Sequence, residues 1–171
     1  MQGHPTEFLR LVRYQKRIAP PRAYGWLSDE RCERLEHLYD VIAAYGHRST
    51  APDDHRRELQ RRQLAARAER QQIRDDICRD LASERGWTAT PRPFSLEALL
   101  GQHGGRGHYP QLDHADAFRK KGRPVALITH SYASVEQVLV WADAMGLDAE
   151  PLEWSWYSPG TNAVILTRSR P

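Results

Sequence analysis

Apolar residues recur at helical spacing through the first half of the chain and at strand spacing near its end. Residues 6–18 set Phe8, Leu11, Val12 and Ile18 near one side of a helix with Thr6 as its cap, and Pro20 and Pro21 stop it. A second helix is predicted from Ser28, with Asp29 and Glu30 in its first turn, where acids complement the helix dipole. Cys32, Leu35, Leu38, Tyr39 and Ile42 form its apolar face, and Gly46 suits the position just past its end. A third, long helix is predicted over residues 53–85. Its narrow stripe of Leu59, Ala66, Ile73, Ile77 and Leu81 approaches a coiled-coil seam, and Gly86 ends it.

Residues 87–95 contain two prolines and form a connector, so the chain divides into a helical region 1–86, a connector, and a second region 96–171. In that second region a short helix is expected at 96–100, followed by the Gly/His-rich segment 101–111. Asp113 is expected to cap another short helix over 114–120. After Pro124, the run Val125–Thr129 has the length and apolarity of a buried strand. Ser134 and Gln137 then match a capping box, which opens a helix with Val135, Val138, Leu139, Ala142 and Met145 on one face. Residues 151–157 alternate, so Trp154 and Trp156 share a strand face and are expected to pack beneath that helix. Ser158-Pro159-Gly160-Thr161 fits a type II turn, and Ala163–Thr167 returns as a β-branched strand. The fold class is therefore α+β: a helical N-terminal half with one long helix, then a small mixed β-α-β-β unit. Its first crossover implies a parallel strand pair and its hairpin an antiparallel one.

The chain has 171 residues with 40% hydrophobic and 27% charged content, enough to bury a core and too apolar for global disorder. Two cysteines, Cys32 and Cys78, make no disulfide framework, which points to a reducing compartment. No window approaches the length of a membrane span, and the first residues carry no apolar signal-peptide core. The expected location is the cytoplasm, with no membrane partner.

Net charge is only +3, but its distribution is uneven. Residues 1–24 carry Arg10, Arg13, Lys16, Arg17 and Arg22 against Glu7, a net +4 that leaves the rest of the chain at −1. Residues 56–74 hold seven arginines against Glu58 and Glu69, whereas 75–84 hold four acids against Arg79. On a regular helix Arg56, Arg67, Arg70 and Arg74 project within about 60° of one another. Arg10, Arg13, Lys16, Arg17, Arg67, Arg70 and Arg74 are thus the candidate contacts to nucleic-acid phosphates. Zinc-finger, RRM and bZIP signatures are missing. The leading expectation is a non-catalytic binding or regulatory protein acting on nucleic acid or a nucleic-acid-associated protein.

Two further constellations support other readings. Half of the eight histidines fall within 103–130. His103, His108 and His114, near Asp113 and Asp116, are the ligand types of a divalent-metal site, although their spacing fits no standard signature. No cofactor is expected, a divalent metal at these histidines being the exception. At the end of the first C-terminal strand, His130, Ser131 and Tyr132 place a base, a hydroxyl and a phenol where α/β folds bind ligands. These three are the candidate catalytic residues of a small hydrolase or group-transfer enzyme with a phosphate-binding site, in which His130 would be the base. No P-loop, dinucleotide fingerprint or GxSxG nucleophile turn accompanies them. A third alternative is a protein–protein inhibitor or assembly subunit, using the stripe of the long helix as a seam.

Overall fold

The computed structural model describes residues 24–44, 53–90, 114–152 and 154–168, which fall into two compact units. The first unit, Ala23–Asp80, is built on α1 (Asp29–Ala43) and the greater part of α2 (Asp53–Arg85). Ser28 caps α1 as expected, its hydroxyl accepting from the Arg31 backbone N–H. Leu35 and Leu38 of α1 are buried, as are Leu59, Ala66, Ile77 and Cys78 of α2, so the stripe read from the sequence is the apolar face of the long helix. Polar contacts between the helices flank this face. Arg34 forms a two-pronged ion pair with Glu69, and Arg31 pairs with Asp80 at 2.6 Å. Tyr39 receives a 2.6 Å hydrogen bond from Arg74, and the Arg70 guanidinium lies 4.9 Å from its ring centroid.

The second unit takes in residues 81 onward. The α2 helix ends at Gly86, whose φ of +68° is accessible to glycine at little cost. The chain then enters a five-stranded sheet of β1 (Thr88–Ala89), β2 (His114–Lys120), β3 (Arg123–Ser131), β4 (Leu147–Leu152) and β5 (Asn162–Arg168). The order is β1-β2-β3-β5-β4, and every neighbouring pair is antiparallel. One helix, α3 (Val135–Ala144), connects β3 to β4. The complete capping box of Ser134 and Gln137 opens it, as the sequence predicts. The α+β class is as expected.

Three local expectations are corrected. Residues 114–120 are a strand, not a helix: Ala115 and Ala117 turn towards the α3 side while Phe118 is fully buried on the other, a period of two that an Asp113 cap obscures. Lys121 and Gly122, both with positive φ, make the two-residue turn into β3. The parallel pair expected across α3 does not hydrogen-bond, because β5 inserts between β3 and β4. Strand β4 lies at Leu147–Leu152 rather than 151–157, and residues 154–160 leave the sheet and cross its end. The turn at 158–161 is as expected, with a Thr161 N–H to Ser158 carbonyl bond and Gly160 at φ +82°.

The alternation of the strands gives the sheet two different faces. One carries Leu127, Val164, Leu166 and Leu147, which pack with Val138, Trp141 and Ala142 of α3. The other carries Phe118, Ala126, Ile128 and Ile165, all essentially inaccessible. Trp87 packs on Phe118 at 5.6 Å, and Arg85 reaches Glu150 of β4. Trp156 belongs to this second face, where it meets His130 edge-on at 4.6 Å, so it does not pack beneath the helix as expected. The expected helices at 6–18 and 96–100 lie outside the described residues.

Because α3 is a ten-residue helix with two N-terminal N–H groups satisfied by the capping box, Ser134→Ala should cost about 1 kcal/mol. Urea denaturation would show this as a lower midpoint at unchanged slope.

Candidate functional site

Strands β2 and β3 pair with His114 directly opposite His130. Residues two apart on a strand share a face, so Asp116 also projects on the side of His130, diagonal to it. This side lies away from α3. The side chains converge there: Asp116 Oδ2 is 2.8 Å from His130 Nε2, and Oδ1 is 3.2 Å from His114 Nε2. One carboxylate therefore holds two imidazoles.

The remaining walls come from residues 154–161, which cross the end of the sheet. Ser155 Oγ lies 2.9 Å from His130 Nδ1, so both ring nitrogens of His130 face oxygen atoms. The Ser155 and Thr161 hydroxyls are 2.7 Å apart, and Thr161 donates at 2.6 Å to the Ser158 carbonyl. The Tyr157 ring stacks on His114 with centroids 4.6 Å apart and planes 3° from parallel. Trp156 closes the other side of His130. The exposure gradient is steep: the His130 side chain is fully buried, Asp116 is 23% exposed and His114 37%. His114 is thus the solvent-facing member of a three-residue chain.

The electrostatics follow from this geometry. Burial alone pushes the Asp116 carboxyl upward. Hydrogen bonds from His114 and His130, together with their positive charge when protonated, outweigh that and hold it well below the usual carboxylate range. Asp116 is consequently an anion across all ordinary pH, and the imidazole N–H groups are what keep it so. For His114, donation from Nε2 to a permanent anion fixes the tautomer and leaves Nδ1 as the basic nitrogen.

The catalytic residues proposed from the sequence are placed as follows. His130 is at the site but inaccessible, so it is not positioned to touch a substrate. Ser131 is buried, its hydroxyl accepting from the Ala133 N–H. Tyr132 is exposed, and its phenol pairs with Ser158 at 2.9 Å. Of the proposed metal ligands, His114 is at the site, and His103 and His108 lie outside the described residues. No group of three His, Cys, Asp or Glu side chains suited to a metal ion is found among the described residues. Asp116, Ser155 and Tyr157 were not singled out as catalytic or binding groups. The signal that could have found Asp116 is the alternation of His114 and Asp116 on a strand, which the helical reading of 114–120 hides.

Of the proposed phosphate contacts, Arg67 is exposed. Arg74 is buried at 8% exposure against Tyr39, and Arg70 stacks on the same ring, so these two face the helix pair instead of solvent. Arg61 and Arg62 both pair with Glu58, and Arg56 pairs with Asp53. Three of the seven arginines in the basic run of α2 are thus paired with acids of their own helix. Arg10, Arg13, Lys16 and Arg17 lie outside the described residues. Among the described residues no helix is long and apolar enough to cross a membrane. No family model, curated protein or solved structure matches the chain.

Replacing Asp116 by Asn should remove the anion from between two histidines and cost on the order of 3 kcal/mol. The sign of the pH effect follows from the depressed carboxyl. The stabilisation is complete above the unfolded-state carboxyl pKa of about 4 and is lost as pH falls below it. Denaturation at a series of pH values should therefore show wild-type stability dropping below about pH 4 by more than that of Asp116→Asn.

Proposed function

We propose that the protein is a small hydrolytic or group-transferring enzyme whose proton-exchanging group is His114. One observation carries this reading: a half-exposed imidazole whose Nε2 is bound by a buried-side carboxylate, with no partner for Nδ1 among the described residues. A carboxylate that orients an imidazole and stabilises its protonated form is the arrangement by which histidine serves as a general base and then as an acid. In the first half of such a reaction, His114 Nδ1 takes a proton from water or a substrate hydroxyl. The imidazolium so formed is stabilised by Asp116 and returns the proton to the leaving group. Tyr157, stacked on the ring, holds its plane and shields one side from water. The role expected for His130 thus passes to His114, which is on the accessible side of the same carboxylate.

The substrate class favoured is a small ester or phosphoester. Turnover of p-nitrophenyl acetate and p-nitrophenyl phosphate tests this. Loss of general acid–base catalysis in His114→Ala should lower the rate by about 10²-fold or more, with the fold of the variant checked by circular dichroism. Equal rates in the two proteins would remove His114 from any mechanism.

A second reading, a nucleic-acid partner, is supported by the exposed Arg57 and Arg67 of α2, which have no acidic partner among the described residues. Oligonucleotide anisotropy at 50 and 200 mM salt is its measurement. Two or more phosphate contacts should weaken binding about tenfold across that range, whereas salt-independent binding would count against it. That Cys32 and Cys78 form no disulfide supports a reducing, cytoplasmic setting for either reading.

A further inference from the structure

We infer that the tip of the β2–β3 hairpin, in the second unit, is a binding surface for the phosphate backbone of duplex nucleic acid. Residues 119–123 read Arg-Lys-Lys-Gly-Arg, four cations in five positions and more positive charge than the net +3 of the whole chain. Lys120, Lys121 and Arg123 are exposed, and none of the three has an acidic partner among the described residues. Arg119 donates at 3.0 Å to the Gly122 carbonyl, which ties its guanidinium to the turn. Asp116, the acid of the same strand, is engaged by two imidazoles instead.

Two features of the tip oppose the stability of the hairpin itself. Lys121 has φ +50°, the one non-glycine residue with positive φ among the described residues. A two-residue turn with positive φ at both positions favours Asn, Asp or Gly at the first, because a longer side chain there gains nothing to offset the crowding of its Cβ. Lys120 lies directly opposite Arg123 in the register, so two like charges face each other across the strands. Asn at 121 and a threonine pair at 120 and 123 would suit the fold better. A cost kept at an exposed turn is accounted for by a ligand. An anion placed between Lys120 and Arg123 turns their repulsion into a shared attraction, and Lys121 at the apex adds a third charge-assisted contact.

The chemistry of the tip selects among anionic partners. Residues 119–123 offer no apolar or aromatic side chain. An acidic protein surface would need an apolar contact core beside its charges, and stable membrane docking needs a hydrophobic anchor beside a basic patch. Single-stranded nucleic acid is held largely by stacking on aromatic rings. A duplex backbone needs none of these, because its closely spaced phosphates are met by positively charged donors alone. A two-stranded ribbon is also an element that the major groove admits. The turn holds only two residues, so the cations are presented from paired strands in a fixed arrangement. The surface shares its class of partner with the second reading above but does not rest on Arg57 or Arg67, which belong to the first unit.

Fluorescence anisotropy of the full-length protein with a short labelled DNA duplex of mixed sequence tests the inference. Three phosphate contacts should weaken binding by about 40-fold or more between 50 and 200 mM salt. The hairpin variant Lys120→Thr/Lys121→Asn/Arg123→Thr should bind about tenfold more weakly, or worse, at 100 mM salt. Its Tm should stay at or above that of the wild type, because both costs are relieved. Should that variant not fold, Lys121→Asn alone serves, with a raised Tm and a salt slope smaller by about 1. Arg57→Gln/Arg67→Gln separates the two surfaces. Wild-type binding by that variant, beside loss in the hairpin variant, removes the α2 reading and leaves the inference standing. Wild-type affinity in the hairpin variant would overturn the inference, as would a wild type that binds no duplex. Tighter binding to phosphatidylserine vesicles than to the duplex would also overturn it and assign the tip to a membrane surface.

Discussion

The Asp116 carboxylate is the point on which the second unit is organised. It sits on a sheet face that otherwise buries Phe118, Ala126, Ile128 and Ile165, a setting in which an unpaired anion would be expelled or protonated. Two imidazoles from adjacent strands supply what water would otherwise provide. The register of β2 on β3 is then constrained twice. Its apolar positions must face inward, and His114 must oppose His130 with Asp116 two residues along. A slip of one residue would send the whole polar group into the α3-side core, so the polar cluster and the apolar faces enforce one pairing.

From that constraint the neighbouring features follow. His130 Nδ1 has Ser155 as its partner only because the chain after β4 leaves the sheet and returns past the end of β3. The crossing carries Trp156 against one side of His130 and Tyr157 against His114, so the aromatic concentration near the C-terminus encloses the polar cluster. The segment is anchored at its far end by the turn at 158–161, where the Thr161 hydroxyl lies 2.6 Å from the Ser158 carbonyl and 2.7 Å from Ser155 Oγ. Thus the turn chemistry, the buried charge and the exposed histidine are one connected network.

How much of this was legible in the sequence depended on whether the signal was local. The long helix 53–85, the Ser28 cap, the Ser134–Gln137 capping box and the turn at 158–161 are each specified within a few residues, and each forms in the structure. His130 and His114 were both singled out, but for different sites, because nothing local says that they face each other across a strand pair. Asp116 was seen only as a neighbour of the histidines. Residues 114–120 contain two alanines, which favour helix, and only packing of Phe118 and pairing with β3 decides for strand. The insertion of β5 between β3 and β4 is likewise a non-local choice. A right-handed β-α-β crossover leaves room for an intervening strand, and no sequence pattern distinguishes the adjacent from the split arrangement.

The arginines of α2 illustrate the same limit from the side of charge. Counting them along the sequence gives a basic face, yet their effect depends on what each guanidinium meets. Glu58 accepts from both Arg61 and Arg62, whose hydrogen bonds hold its carboxyl down at about 2, so one acid is shared by two arginines and the trio keeps one net positive charge. Tyr39 draws in Arg70 and Arg74, using one guanidinium as a hydrogen donor and the other as a cation against its ring. A row of arginines on a helix therefore divides into those that hold the hairpin together and those that remain for a partner, and only the second group contributes to the field an approaching molecule feels. In the histidine cluster the division runs the other way. There one carboxylate holds a buried imidazole and a partly exposed one, and the solvent-facing ring is fixed in place by the rest of the cluster.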